Sequence, residues 1–336
     1  MCHAVIVALL LLGPIAAQAA DNDGIALLNQ IRTRSGLQPL LENEALARSA
    51  GLHAAYIAPR KRIDHLETGN TDGFFAATPS ERCDKAGYSP FCSEVITAGI
   101  PDGDDAMRDL LRAPFHRKLL LDPQGIRYGA SAAMGQPGAR VIDIGIDSEQ
   151  QGVIGWPNES IPVSPLMPAG HEVPDPVPLG VKAVGYPVSL QAGASIDVTT
   201  FVVVEAGSNT PLPAQLLVRD ALPYAPDNFV LLVPNAPLKP GTHYTVRFTG
   251  QIDHQPTTLS WSFDTLAHLD VKASIDHGEL KLTAHTFSGD AAYVYEGFDK
   301  LQIAHNTVRA KKTEKNPYIR VSDPVTGEEQ RIDFKD

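Results

Sequence analysis

The sequence predicts an α+β protein with helices first, a proline-rich middle, and strands after it. Three observations carry this. Apolar residues recur at helical spacing in three segments between residues 24 and 112. Seven prolines fall between Pro157 and Pro178. Beyond residue 185 the chain alternates apolar and polar residues with period two. Helices followed by strands, without regular alternation, argue against a parallel α/β sheet.

The first helix covers residues 24–35, where Ile25, Leu27, Leu28 and Ile31 share a face and Ser35-Gly36 ends it. A second runs from Asn43 to Ile57, with Leu46, Ala50, Ala54 and Ile57 on one side and Pro59 as its stop. A third spans Asp104 to Arg112, and Pro114 breaks or restarts it. IRYGASAAM and ARVIDIGID then read as strands. The prolines of residues 157–184 predict a semi-rigid extended linker and the main domain boundary. In HYTVRFTG and TLSWSFDT, large apolar residues alternate with polar ones, the pattern of antiparallel strands with one wet face. A hairpin is expected around Gly327, and no internal repeat is visible.

The 336 residues suffice for two or three domains. Hydrophobic residues at 43% and charged ones at 20% exclude a largely disordered chain. A net charge of -11 without a long basic run argues against a nucleic-acid partner. Residues 1–20 read as a secretory signal, with an apolar run Ala4–Leu12 and an A-x-A site at Ala17-Gln18-Ala19. No Lys or Arg precedes the run, which departs from the usual pattern. The run is short for a bilayer span, so no transmembrane segment is expected after signal removal. Periplasmic or secreted localisation follows. Cys83 and Cys92 remain in the exported chain, and an even count there favours a disulfide between them.

LLNQIRTRSGLQPLLENEALARSAGLHAAYIA, then Asp64-His65, Glu81-Arg82, Ala86-Gly87-Tyr88, Ser93-Glu94-Val95-Ile96, Phe115-His116-Arg117 and Tyr128-Gly129 follow in order. By these pieces residues 25 to about 147 resemble the CAP superfamily (cysteine-rich secretory, antigen 5 and pathogenesis-related proteins), in its bacterial secreted branch. The resemblance implies an α-β-α sandwich and a cleft lined by two histidines and one or two glutamates. Carried over, these are His65, Glu94 and His116, with His116 held by Glu94 or through a shared water or ion. A second glutamate, which many members carry on the helix before the second histidine, has no counterpart in DDAMRDLLRAPFHR, and Asp109 is out of register.

The trio has two readings. Two imidazoles and a carboxylate can bind zinc or another divalent metal, or a small-molecule or lipid ligand, while leaving a position open. Alternatively they form a polar network that ties helices to the sheet. His53 is expected to pack, and Arg117 to pair with a surface carboxylate. Ser80 and Ser93 flank the trio but lie in no nucleophile elbow, so no catalytic residue is assigned. LKPGTHYTVRFTG with the strand ending in WSFDT makes residues 185–266 look like a bacterial immunoglobulin-like module, leaving 267–336 as a β region of unknown type. The expected arrangement is thus signal 1–20, CAP-like domain 21–156, linker 157–184, immunoglobulin-like domain 185–266 and C-terminal β region 267–336. The function expected is non-catalytic ligand or metal binding. A metal-assisted or serine-type hydrolase acting on peptides or envelope polymers, and a surface protein that recognises protein or envelope partners through its β modules, remain as alternatives.

Overall fold

The computed structural model describes residues 23–60, 63–100, 102–133, 139–146, 151–219, 226–304 and 306–335; the expected signal segment lies outside them. The N-terminal part contains α1 (Ile25–Arg34), β1 (Leu41–Glu42), α2 (Glu44–Ile57), α3 (Pro79–Ala86), β2 (Cys92–Ala98), α4 (Gly103–Arg112), α5 (Pro114–Leu120), β3 (Gly125–Ala133) and β4 (Ala139–Ile146). Asn43 caps α2 by accepting from Ala45 and Leu46 N–H. Thr78 and Glu81 form a capping box on α3, and left-handed Gly87 ends that helix. Pro114 restarts the chain as α5, because proline is suited to a first helical turn.

The strands form one sheet in the order β1-β3-β4-β2. Period-two alternation splits its faces. Ile96 and Val141 pack with Ala50, Ala54 and Ile57 of α2. Val95, Ile142 and Ile144 pack with Ile25, Leu28 and Ile31 of α1 and Met107 and Leu110 of α4. The result is the expected α-β-α layering. Gly129 lets α2 lie directly on β3, since a Cβ there would stand 2.0 Å from the Ala47 nitrogen. Buried Arg32 donates to the carbonyls of Gln38, Leu120, Asp122 and Gly125, joining α1 to the turn ahead of β3. Its burial, opposed by nearby Asp122, brings its pKa down to about 10.

The second half holds two pairs of sheets. The first pair contains β5 (Val153–Trp156), β8 (Val188–Ala192), β9 (Ile196–Glu205), β10 (Ala214–Leu217), β11 (Phe229–Pro234), β12 (His243–Ile252) and β13 (Gln255–Asp264). Between β5 and β8 lies a small pairing of β6 (Leu166–Pro168) with β7 (Ala183–Gly185). The large sheets are ordered β10-β11-β8-β5 and β13-β12-β9. The second pair contains β14 (Asp270–Asp276), β15 (Glu279–His285), β16 (Ala292–Glu296), β17 (Gln302–Ala304), β18 (Thr307–Lys311), β19 (Tyr318–Ser322) and β20 (Glu329–Asp333). Its sheets are β14-β15-β18-β17 and β16-β19-β20. Counting strands within each module, both read 4-5-2-1 or its reverse on one sheet, and 3, 6, 7 on the other. The same topology therefore occurs twice, where the sequence displays no repeat.

Two expectations about the middle of the chain need correction. Residues 153–156, assigned by sequence to the first domain, pair with β8 in the second. The proline-rich stretch is not a bare spacer. It holds the β6–β7 pairing, a bridge from Val163 to Thr265, and buried Leu166, Met167 and Glu172. One apolar core runs from Ile25 and Leu28 through Trp156 and Tyr186 to Tyr244 and Phe263. Proline denies a segment regular hydrogen bonding but not burial, and burial is what local pattern failed to reveal. Among the described residues no helix is long and apolar enough to cross a membrane.

Candidate functional site

The site lies where β2 meets the loop after α2 and the start of α5. On β2, Glu94 takes the sheet face toward α2 and lies opposite Asp143 of β4. Its Oε1 accepts from His65 Nδ1 at 2.9 Å, and its Oε2 accepts from Arg82 Nη2 at 2.8 Å. Arg82 Nη1 also donates to the His65 carbonyl, so α3 fixes both the carboxylate and the backbone of the histidine it holds. An ionised carboxylate can only accept, so His65 Nδ1 is the donor in this pair, and Nε2 is the ring nitrogen left toward the cleft. The Glu94 side chain is fully covered, whereas that of His65 is 46% exposed.

His116 is held differently from the expectation. Its Nδ1 donates to Glu172 Oε1 at 2.8 Å, not to Glu94. Glu172 is buried and comes from the proline-rich segment. It also accepts the backbone N–H of His116, and that of Phe115 on both oxygens. Those are first-turn donors of α5, whose own cap residue, Ala113, supplies no side-chain acceptor. A second glutamate is thus present, delivered from 56 residues downstream. Asp109 is engaged elsewhere, with Arg112 at 2.7 Å and His171 at 3.6 Å. The rings of His65 and His116 face the same space, with centroids 6.4 Å apart. Among the described residues the Nε2 atom of neither ring makes a hydrogen bond with the protein, and neither Ser80 nor Ser93 bonds a histidine.

Behind His65 sits a buried polar cluster of which the sequence had named His53 and Arg82, neither as a site residue. His53 Nδ1 contacts Glu67 Oε1 at 2.9 Å and Nε2 contacts the Asp64 carbonyl at 2.9 Å. Glu67 and Glu94 lie against His53 and Arg82, with the shortest contacts at 2.8 and 2.9 Å. Burial, with neighbouring Glu94 adding to it, pushes the Asp143 carboxyl well above the usual carboxylate range, against the opposing pull of Ser49 and Arg82. Glu67 and Asp143 carry no motif of their own, and Arg82 stood in the Glu81-Arg82 piece without an assigned role. The β2–β4 register that sets Asp143 opposite Glu94 appears only in the folded sheet.

Cys83 of α3 and Cys92 of β2 form the expected disulfide, tying together the two elements that supply Arg82 and Glu94. Arg117, expected at the surface, is buried. It donates to the Leu111 and Pro187 carbonyls and lies against the Tyr186 ring. Desolvation lowers its pKa, and Tyr186 and Glu172 oppose that.

As a metal centre the donor set is thin. Among the described residues no group of three or more His, Cys, Asp or Glu side chains is placed to hold a metal ion. What exists is two imidazoles, each oriented by a carboxylate on its far nitrogen, the outer-sphere arrangement that raises imidazole basicity toward a cation.

Residues 25–142 match the CAP, or cysteine-rich secretory protein, family. Among solved structures, an outer surface protein from Borrelia burgdorferi is similar at 19% identity over 37% of this chain and 90% of that one, with a TM-score of 0.33. An extracellular SCP-domain protein from Bacillus anthracis str. Ames is similar at 22% identity over 37% of this chain, with a TM-score of 0.32; the match spans 39% of that protein. A β-glucuronidase from Parabacteroides merdae aligns at 12% identity over 57% of this chain and 26% of its own, with a TM-score of 0.20. No curated protein matches. With the α-β-α layers and the ordered His65, Glu94 and His116 motifs already described, residues 25–142 of this chain are a CAP domain of the cysteine-rich secretory protein family.

Proposed function

We propose that this is an exported, non-catalytic CAP-domain protein whose His65–His116 cleft takes up a divalent cation such as zinc, weakly and with exchange. The observation that carries this is the matched pair of dyads, His65–Glu94 and His116–Glu172, at 2.9 and 2.8 Å. Each carboxylate commits one ring nitrogen and leaves the other as a donor atom toward the cleft. His65 and His116 would hold the ion, and water or a ligand would complete its coordination. A bound cation of this kind supplies a Lewis-acidic position for an anionic or carbonyl ligand. The missing third protein ligand sets the expected strength, well below that of a structural zinc site. No serine is partnered by a histidine among the described residues, so nothing favours serine-type hydrolysis.

The test is calorimetric titration of the mature chain with zinc, alongside His65→Ala and His116→Ala. One site of micromolar or weaker affinity, lost in both variants, supports the reading. Affinity retained in both variants refutes it. A second reading, recognition through the β modules, is favoured by their strand order. Two sheets holding strands 1, 2, 5, 4 and 3, 6, 7 is the arrangement of immunoglobulin-type sandwiches, a scaffold common in surface recognition.

A further inference from the structure

We propose that a second site, the groove where α4, residues 161–164 and the C-terminal β module meet, binds an uncharged, largely apolar small molecule carrying a carbonyl or hydroxyl oxygen. The groove has a volume of about 540 Å³, within the span of small-molecule sites. Neither His65 nor His116 lines it, so it is distinct from the cleft above. Its walls come from three parts of the chain, including Leu111, Ile161, Ala291 and Tyr293. At its margin Leu266 is 38% and Ile303 55% exposed, large apolar side chains left in water around one concavity.

The charges at the groove select against ions. Asp109 is paired with Arg112 at 2.7 Å, and Asp105 reaches His285 at 3.3 Å across the junction. Asp290 and Arg108 complete a lining in which acids and bases nearly balance, so a charged ligand of either sign meets a like charge. Burial, with Asp102 and Asp270 adding to it, holds the Asp105 carboxyl above its ordinary range against the pull of His285 and Arg108, a further cost to an anion nearby.

One donor on a lining residue, just beneath the groove surface, is unused. Arg112 gives Nη1 to the Phe287 carbonyl and Nη2 to Asp109, while its buried Nε–H has no hydrogen-bond partner among the described residues. A buried donor without a partner is costly, and a neutral oxygen acceptor on an apolar body satisfies it without adding charge. That combination defines the ligand class.

The experiment titrates the full mature chain with prodan, a neutral aromatic ketone, and with anilinonaphthalene sulfonate, an anionic dye of similar bulk. The expected result is one prodan site with blue-shifted emission and sulfonate binding at least about tenfold weaker. Ala291→Trp fills the groove and should weaken prodan at least about tenfold. Arg112→Lys keeps the charge but removes Nε–H, and should weaken it about tenfold or more, as for one hydrogen bond to a charged group. Ile303→Asp, at the exposed margin and outside the core, provides a variant whose folding is not in question and should weaken prodan as well. Absence of prodan binding, equal binding of the sulfonate, or affinity unmoved by Ala291→Trp and Ile303→Asp would overturn the proposal.

Discussion

Replacing Glu172 by alanine removes the acceptor for three donors of α5: Phe115 N–H, His116 N–H and His116 Nδ1–H. Hydrogen bonds to a charged group contribute about 1.5–3 kcal/mol each when measured alone. These three share one carboxylate and are not additive, and water can reach part of His116, whose side chain is 22% exposed. The estimate is therefore about 3 kcal/mol, at the lower end of what breaking a buried pair costs. Glu172→Gln keeps one acceptor oxygen and should cost about 1 kcal/mol. The loss concentrates at the α5 N-terminus, so amide hydrogen exchange is the suitable assay. Phe115 and His116 should exchange roughly 150-fold faster in Glu172→Ala and about fivefold faster in Glu172→Gln, until global unfolding takes over. Asp109→Asn, the nearer carboxylate in sequence, should leave both amides unchanged. Exchange altered less than about threefold by Glu172→Ala would refute the claim that this residue organises α5 and His116.

Three further outcomes are expected. Asp143 has a folded pKa raised above its unfolded value, so it destabilises the fold increasingly as pH rises from about 4 toward that raised value. Denaturant midpoints of Asp143→Asn should gain on those of the parent with rising pH over that window; parallel midpoints at every pH would contradict the assignment. The mature chain should take up no alkylating agent before reduction, and replacing Cys83 and Cys92 by serine should cost about 2–3 kcal/mol by urea titration. Two labelled cysteines without reductant would remove the bridge. Limited trypsin treatment should cut first after Lys182, beside the exposed turn at Leu179 and left-handed Gly180, and the nicked halves should elute together because their apolar core is shared. Early cleavage after buried Arg32, Arg82 or Arg117 would show that core to be incomplete.

The identity of the first domain was open to reading because its signals are local. Asn43 before an apolar face, Pro114 at a helix start, and a histidine or glutamate beside fixed neighbours keep their meaning wherever the chain goes. The β character of the second half was likewise written in the alternation of Tyr244, Val246 and Phe248. The partner of His116 was not legible. Glu172 lies in a stretch of prolines, carries no motif, and acquires its role only when β6 and β7 pair and bring residues 169–175 against α5. The assignment of Val153–Trp156 to the second sheet was hidden for the same reason, since its partner strand begins at Val188. Sequence alone determined which residues could titrate, cap or cross-link. Tertiary structure decided which of them meet, because contacts closed over tens of residues depend on packing and burial that no local period encodes.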